Sequence, residues 1–224
     1  MHFVYIALMI ALFGFNAQAE DAEPFGRATV SAPQNFYAAD WREVQNDWTV
    51  ERGMLDRCRA ERESCPSRPA LQFQAMIDEA RGQTGRARLG YINRAINLAI
   101  RPLNDLANYR GPEVWKSPLA TLAKGAGDCT DYAIAKYYAL GEVGIPENDR
   151  RLVVVSIKSL NAEHAVLAVR DGQRWLILDS RYMAIVDAND ATKYVPLLEF
   201  DHRGVWRFVK PGVAQVANGY LHEQ

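Results

Sequence analysis

Two apolar runs flank an Asp171-Gly172 pair, and no other feature of the chain narrows its fold as much. One run extends from His164 to Arg170 and the other from Gln173 to Asp179, both rich in valine, leucine and isoleucine. Asp-Gly between such runs is the strongest short-range signal for a β-hairpin, because a tight two-residue turn needs positive backbone φ. With Asp171 and Gly172 as the turn residues, Arg170 faces Gln173 and His164 faces Asp179. Directly opposed residues share a face with Cβ atoms roughly 5 Å apart. A carboxylate at that distance accepts an imidazole N–H and selects the ring tautomer. The pairing depends on the turn: a three-residue loop with a bulge would slip it.

Upstream, Gly127-Asp128-Cys129-Thr130-Asp131-Tyr132 reads as the head of a helix. Asp128 suits the N-cap, Ala133 to Lys136 are good helix formers, and Gly141 stands just past the end. Ala133, Tyr137 and Leu140 put apolar side chains on the side of Cys129. The unsatisfied N–H groups and partial positive charge of a helix N-terminus stabilise a thiolate, lowering a thiol pKa from about 8.5 into the range of roughly 3.5–7.5. Cys129, His164 and Asp179 thus form a candidate nucleophile, base and orienter. A cysteine or histidine of this kind taken singly is more often a core residue; the agreement of three separate signals favours chemistry. Zinc does not fit, since no second cysteine or histidine sits at ligand spacing from Cys129 or His164.

The segment from Phe3 to Phe15 carries no charged side chain and is followed by Ala17-Gln18-Ala19, the small-x-small pattern of a signal peptidase site. The run is short for a transmembrane helix. Residues 1–19 therefore read as a signal peptide, with an uncleaved anchor as the alternative, and the remainder as an exported protein, expected in the periplasm. In an oxidising compartment Cys58 and Cys65, close together in the chain, are expected to pair as a disulfide. That leaves Cys129 as the odd thiol of three, a flag for reactivity in an exported protein.

Net charge is −1, which leaves no electrostatic footprint for nucleic acid. The basic residues between Arg52 and Arg68 alternate with Glu51, Asp56, Glu61 and Glu63, as on a solvated helix face. Asp40-Trp41-Arg42-Glu43 has the pattern of a capping box opening a helix. A second helix runs from Leu71 to Arg81, and a stripe of Leu89, Ile92, Ile96 and Ile100 marks a third that Pro102 ends. Ser117-Pro118 opens a short helix closed by Gly125. After the Cys129 helix, residues 151–157, 164–170, 174–179, 194–200 and 205–209 read as mainly antiparallel strands. Helices followed by strands imply one α+β domain over residues 40–224, preceded by a loose N-terminal arm over residues 20–39 that contains Pro24 and Pro33. Trp115 is a candidate for either the cleft wall or the core.

A helix bearing cysteine, a strand bearing histidine and a strand bearing aspartate follow one another as in the papain-like transglutaminase core. Residues Asn93 to Asn97, Trp115 to Thr121, Gly125 to Tyr137, Glu163 to Leu167 and Trp175 to Asp179 resemble the bacterial transglutaminase-like cysteine proteinases of the LapG type. The resemblance covers nearly all of residues 40–210. It implies an α+β fold, with a catalytic helix packed on an antiparallel sheet and a triad of Cys129, His164 and Asp179. It also implies a periplasmic endopeptidase that cleaves a large surface adhesin, RTX-type or other, near its N-terminus at a di-alanine site, and so controls attachment and biofilm release. An inner-membrane cyclic-di-GMP receptor is the implied inhibitor. The same fold also admits a transglutaminase or amidase acting on cell-wall peptides, or a non-catalytic binding module. Members of the family carry glutamate directly after the catalytic cysteine and use calcium through acidic residues of that loop. Thr130 stands there in this chain, leaving Asp128 and Asp131 as candidate calcium ligands and weaker binding as the expectation. A helix cap and a first-turn acid are the alternative roles of the two aspartates.

Overall fold

The computed structural model describes residues 23–103 and 114–210, so the signal peptide expected over residues 1–19 lies outside the described residues. Helices come first: α1 (Ala38–Ala60), α2 (Arg68–Arg81), α3 (Gly85–Ala99), a short α4 (Pro118–Lys124), and α5 (Cys129–Glu142). Their ends follow local chemistry. The Ser67 hydroxyl accepts the Ala70 N–H at 3.2 Å to start α2, and Gly125 closes α4 with φ of +64°, a left-handed conformation suited to glycine. The start of α1 differs from expectation, for Tyr37 precedes the helix without a side-chain cap and Asp40 lies in its first turn. An acid there still complements the helix dipole. Cys58, near the end of α1, is bonded to Cys65, as the expected pairing requires.

Two short strands, β2 (Arg101–Pro102) and β3 (Ala126–Gly127), pair in parallel beside the helices. The main sheet consists of β1 (Thr29–Ser31), β4 (Arg150–Ile157), β5 (Ala162–Asp171), β6 (Arg174–Leu178), β7 (Val186–Asp187), β8 (Tyr194–Asp201) and β9 (Gly204–Phe208). Its order is β1-β9-β8-β4-β5-β6-β7, and every adjacent pair is antiparallel. The ladder between β4 and β8 slips between Val154 and Val155, where Val155 meets Pro196. Proline has no N–H for a ladder, so a bulge is the place in a strand that tolerates it. The chain is thus α+β, with the described residues between 38 and 142 mainly helical and the strands of the main sheet, β1 excepted, following them.

The N-terminal arm is not loose over its described part. Thr29–Ser31 pairs with β9, covering backbone groups that the edge of the sheet would otherwise leave open. The Glu23 carboxylate accepts from the Arg151 guanidinium at 3.1 Å, and the Phe25 ring meets Phe208 edge to face. Both faces of the sheet are buried, which is why β4 and β5 read as nearly continuous apolar runs. Leu152, Val154, Leu167 and Leu176 pack against the helices. Val153, Val155, Val166 and Ile177 face a second cluster that includes Ala188, Ala191 and Tyr194.

The hairpin between β5 and β6 turns on Gly172-Gln173 and not on Asp171-Gly172. Asp171 pairs with Arg174, and Gly172 has φ of +62° at the first central position, the requirement of a type II′ turn. Leu167 therefore pairs with Leu178, and Asp179 falls two positions short of the residue opposite His164. Side chains alternate with a period of two, so a slip of two leaves His164 and Asp179 on one face as diagonal neighbours. Among the described residues no helix is long and apolar enough to cross a membrane.

Candidate active site

Cys129 is the first residue of α5 and is half-buried. The helix starts there because Asp128 caps it: one carboxylate oxygen accepts the N–H groups of Thr130 and Asp131, each at 3.0 Å. Asp131 reaches back to accept the Asp128 N–H at 3.3 Å, completing a reciprocal capping box. Gly127 is required for this approach, since a Cβ there would stand 2.7 Å from the Asp131 Cβ. Cys129 thus stands in the first turn of α5, at the positive end of the helix dipole.

α5 packs across β5, the strand that carries His164. His164 Nε2 lies 2.8 Å from Asp179 Oδ1, in a pair that is buried on both sides. Two further donors hold the carboxylate and a third holds the main chain behind it. The Arg181 N–H donates to Oδ1 at 2.9 Å, the Tyr194 hydroxyl donates to Oδ2, and the Asp179 carbonyl accepts from Asn97 Nδ2 at 3.0 Å. Burial alone would raise the Asp179 pKa, but the hydrogen bond and charge of His164, with Arg181 and Tyr194, hold it down to about 2. Burial, reinforced by the neighbouring Asp179 carboxylate, pushes the Tyr194 phenol up, so it stays protonated as a donor. An ionised carboxylate on Nε2 fixes the ring and directs Nδ1 to the opposite edge of the imidazole.

Several supporting residues escaped sequence reasoning. Asn93 and Asn97 of α3 hold the loop after β6: Asn93 Nδ2 donates to the Tyr182 and Met183 carbonyls at 2.9 and 3.2 Å. Two asparagines four apart in an otherwise apolar helical stripe were the available signal. Lys136, seven residues after Cys129 and so on the same face of α5, is fully buried with its ammonium over the Tyr132 ring. Burial pulls its pKa down to about 7 against the opposing charge of Asp179. Trp115 belongs to the core, stacked on Tyr37 at 5.4 Å and edge-on to Trp41 and Phe200.

The two aspartates expected to bind calcium are differently engaged. Asp128 is the cap. Asp131 is fully buried, and Lys116 takes both of its oxygens, the backbone N–H on Oδ1 at 3.1 Å and Nζ on Oδ2 at 3.2 Å. Burial, then the charge of Asp128, raise the Asp131 pKa to about 6 against the pull of Lys116. Calcium takes six to eight oxygen ligands. Among the described residues no three His, Cys, Asp or Glu side chains converge as a metal cage, and two aspartates already committed to N–H groups and an ammonium do not fit that demand.

A cysteine-headed helix laid on an antiparallel sheet, with a histidine and an aspartate hydrogen-bonded at neighbouring strands, defines the transglutaminase-like class of α+β fold. The family model described as bacterial transglutaminase-like cysteine proteinase matches residues 48–212. The chain belongs to that family. It is similar to LapG of Legionella pneumophila, at 25% identity and a TM-score of 0.58 over 70% of this chain and 86% of that one. A calcium-bound form of that LapG matches at 24% identity and a TM-score of 0.59, over 72% and 93% of the two chains. An EGTA-treated form matches at 24% identity and 0.57, over 70% and 84%. No curated protein matches the chain. The protein is a cysteine proteinase of the LapG type.

Proposed function

We propose that the protein is a periplasmic endopeptidase whose nucleophile is Cys129, whose general base and acid is His164 and whose orienting residue is Asp179. The observation that carries this reading is the buried His164–Asp179 hydrogen bond beside a helix that starts at Cys129. The Cys129 sulfur attacks the scissile carbonyl carbon. The oxyanion is met by the Cys129 N–H at the positive end of α5. His164 delivers the thiol proton to the leaving amine, and a thioester forms on Cys129. Water then attacks the thioester carbon, His164 takes the water's proton and returns it to sulfur, and the carboxylic acid product leaves. Asp179 keeps one imidazole orientation through both halves of the cycle.

The substrate in this proposal is a large surface adhesin cut near its N-terminus at a di-alanine site, with biofilm release as the consequence. An inner-membrane cyclic-di-GMP receptor would sequester the protease. Support for this substrate and partner comes from the LapG-type family. Purified wild-type protein incubated with adhesin N-terminal fragments and, separately, with muropeptides tests the reading. Cleavage of the fragments alone, lost in Cys129→Ala with the thermal midpoint kept, is the expected result. Turnover of muropeptides alone would assign the fold to a cell-wall amidase or transglutaminase, and undiminished cleavage by Cys129→Ala would remove the mechanism.

A further inference from the structure

The N-terminus of α5 gathers negative charge beneath the nucleophile. Asp128 and Asp131 bracket Cys129, and the side chain of Asp131 is fully enclosed. A buried carboxylate beside a second one needs a cation to offset it. In this chain the cation is covalently part of the protein. Lys116 Nζ lies 3.2 Å from Asp131 Oδ2 and 3.1 Å from the Val114 carbonyl oxygen. A carboxylate oxygen and a backbone carbonyl oxygen are the kinds of ligand a hard divalent cation would take. The Lys116 backbone N–H occupies the other Asp131 oxygen at 3.1 Å, and the Asp128 N–H shares Oδ2 at 3.3 Å. Thr130, between the two aspartates, adds no carboxylate.

We infer that the Lys116 ammonium is the resident cation of the Cys129 loop, so that the N-terminus of α5 is held in its working form without calcium and any calcium ion must displace Lys116 to bind. The place that a calcium ion would take is thereby filled by a lysine tethering residues 114–116 to the first turn of α5. Calcium binding is then weak for two separate reasons: one carboxylate is missing at Thr130, and an ammonium competes for Asp131. The inference concerns this loop and not the reaction, so it stands independently of the substrate.

The test is calcium titration of the purified protein after EGTA treatment, read by calorimetry and by thermal unfolding. Wild type is expected to show the same midpoint in EGTA and in calcium, with no binding heat at micromolar calcium. Lys116→Ala is expected to unfold several degrees lower in EGTA, to recover with calcium, and to bind calcium roughly tenfold tighter or more than wild type. Adding Thr130→Glu to Lys116→Ala should tighten binding again. Micromolar calcium binding by wild type with a large midpoint shift would overturn the inference, as would a Lys116→Ala protein as stable in EGTA as wild type and blind to calcium. If Lys116→Ala does not fold in EGTA, Lys116→Arg decides: folding of the arginine variant supports a resident cation, and its failure refutes one. Both readouts concern the folded protein, so absence of proteolysis would refute the protease reading and leave this one intact.

Discussion

Replacing Asp179 by asparagine separates the charge of the orienting residue from its geometry. Oδ1 of Asp179 accepts from His164 and from the Arg181 N–H, while Oδ2 accepts from the Tyr194 hydroxyl. An asparagine in the same rotamer has to put its oxygen at the Oδ1 position. The amide nitrogen there would confront the Arg181 N–H, donor against donor, whereas at the Oδ2 position it meets a hydroxyl that can rotate to accept. The imidazole tautomer is therefore kept, and what is lost is the negative charge facing the ring. Hydrogen bonds to charged groups contribute about 1.5–3 kcal/mol where neutral ones contribute about 1, so the loss of about 0.5–2 kcal/mol should lower kcat roughly twofold to thirtyfold at about 1.4 kcal/mol per decade. Asp179→Ala removes orientation as well and should fall by roughly 10³-fold or more.

The same charge has a stability signature. Asp179 is held at about 2 against an ordinary value of 3.8, and nearly two units correspond to about 2 kcal/mol. A depressed carboxylate stabilises the fold above its unfolded pKa and loses that contribution as pH falls through its folded pKa. Asp179→Asn should thus be about 2 kcal/mol less stable than wild type near pH 7, with the gap closing between pH 4 and pH 2. Urea unfolding across that range together with cleavage kinetics at neutral pH checks both halves. Equal losses in Asn and Ala variants would refute the tautomer reasoning, and a gap that stays constant down to pH 2 would refute the assignment of stability to the charge.

Tyr194→Phe removes the hydroxyl donor to Asp179 and should lower kcat roughly tenfold with KM little changed; unchanged kcat would mean that the hydroxyl does not steady the carboxylate. Glu199, fully buried, is raised to about 8 by burial and by the charge of Glu23, against Arg151. Because its folded value lies above its unfolded one, wild-type stability falls as pH rises from about 4.5 to 8. Glu199→Gln should abolish that slope and gain most over wild type above pH 8, as thermal midpoints at pH 5, 7 and 9 will register, parallel curves counting against the assignment. Peptide mapping without reductant should recover Cys58 joined to Cys65 and only Cys129 alkylated; alkylation of all three thiols would contradict the pairing.

The parts of the site legible in the sequence are those governed by short periods. The Asp128 cap and the helix behind Cys129 follow from residues within one turn of each other, and the structure adds the reciprocal bond from Asp131. The sequence pattern points to a turn on Asp171-Gly172 where the structure turns on Gly172-Gln173, because either residue pair supplies a glycine with positive φ and only the flanking ladder decides between them. That difference spares the His164–Asp179 contact for a physical reason. The slip is two positions, and a strand repeats its faces every two; a slip of one would have put His164 and Asp179 on opposite faces of the sheet.

Contacts between distant segments had no such protection. Glu51 of α1 caps α4, accepting from the Ser117 hydroxyl at 2.6 Å and from the Leu119 N–H at 2.9 Å. Nothing near Glu51 or Ser117 in the chain announces the partnership. The N-terminal arm read as loose from its prolines, yet Thr29 to Ser31 forms an edge strand, because β9 offers an unpaired edge that no local pattern in residues 20–39 reveals. Lys116 belongs with these. Next to Trp115 and Ser117 it has the appearance of an ordinary surface lysine, and its meaning comes from Asp131, fifteen positions on and buried. A candidate metal site read from acidic residues alone therefore carries an error of one sign: it counts the carboxylates that a loop supplies and overlooks the ammonium that folding brings to them.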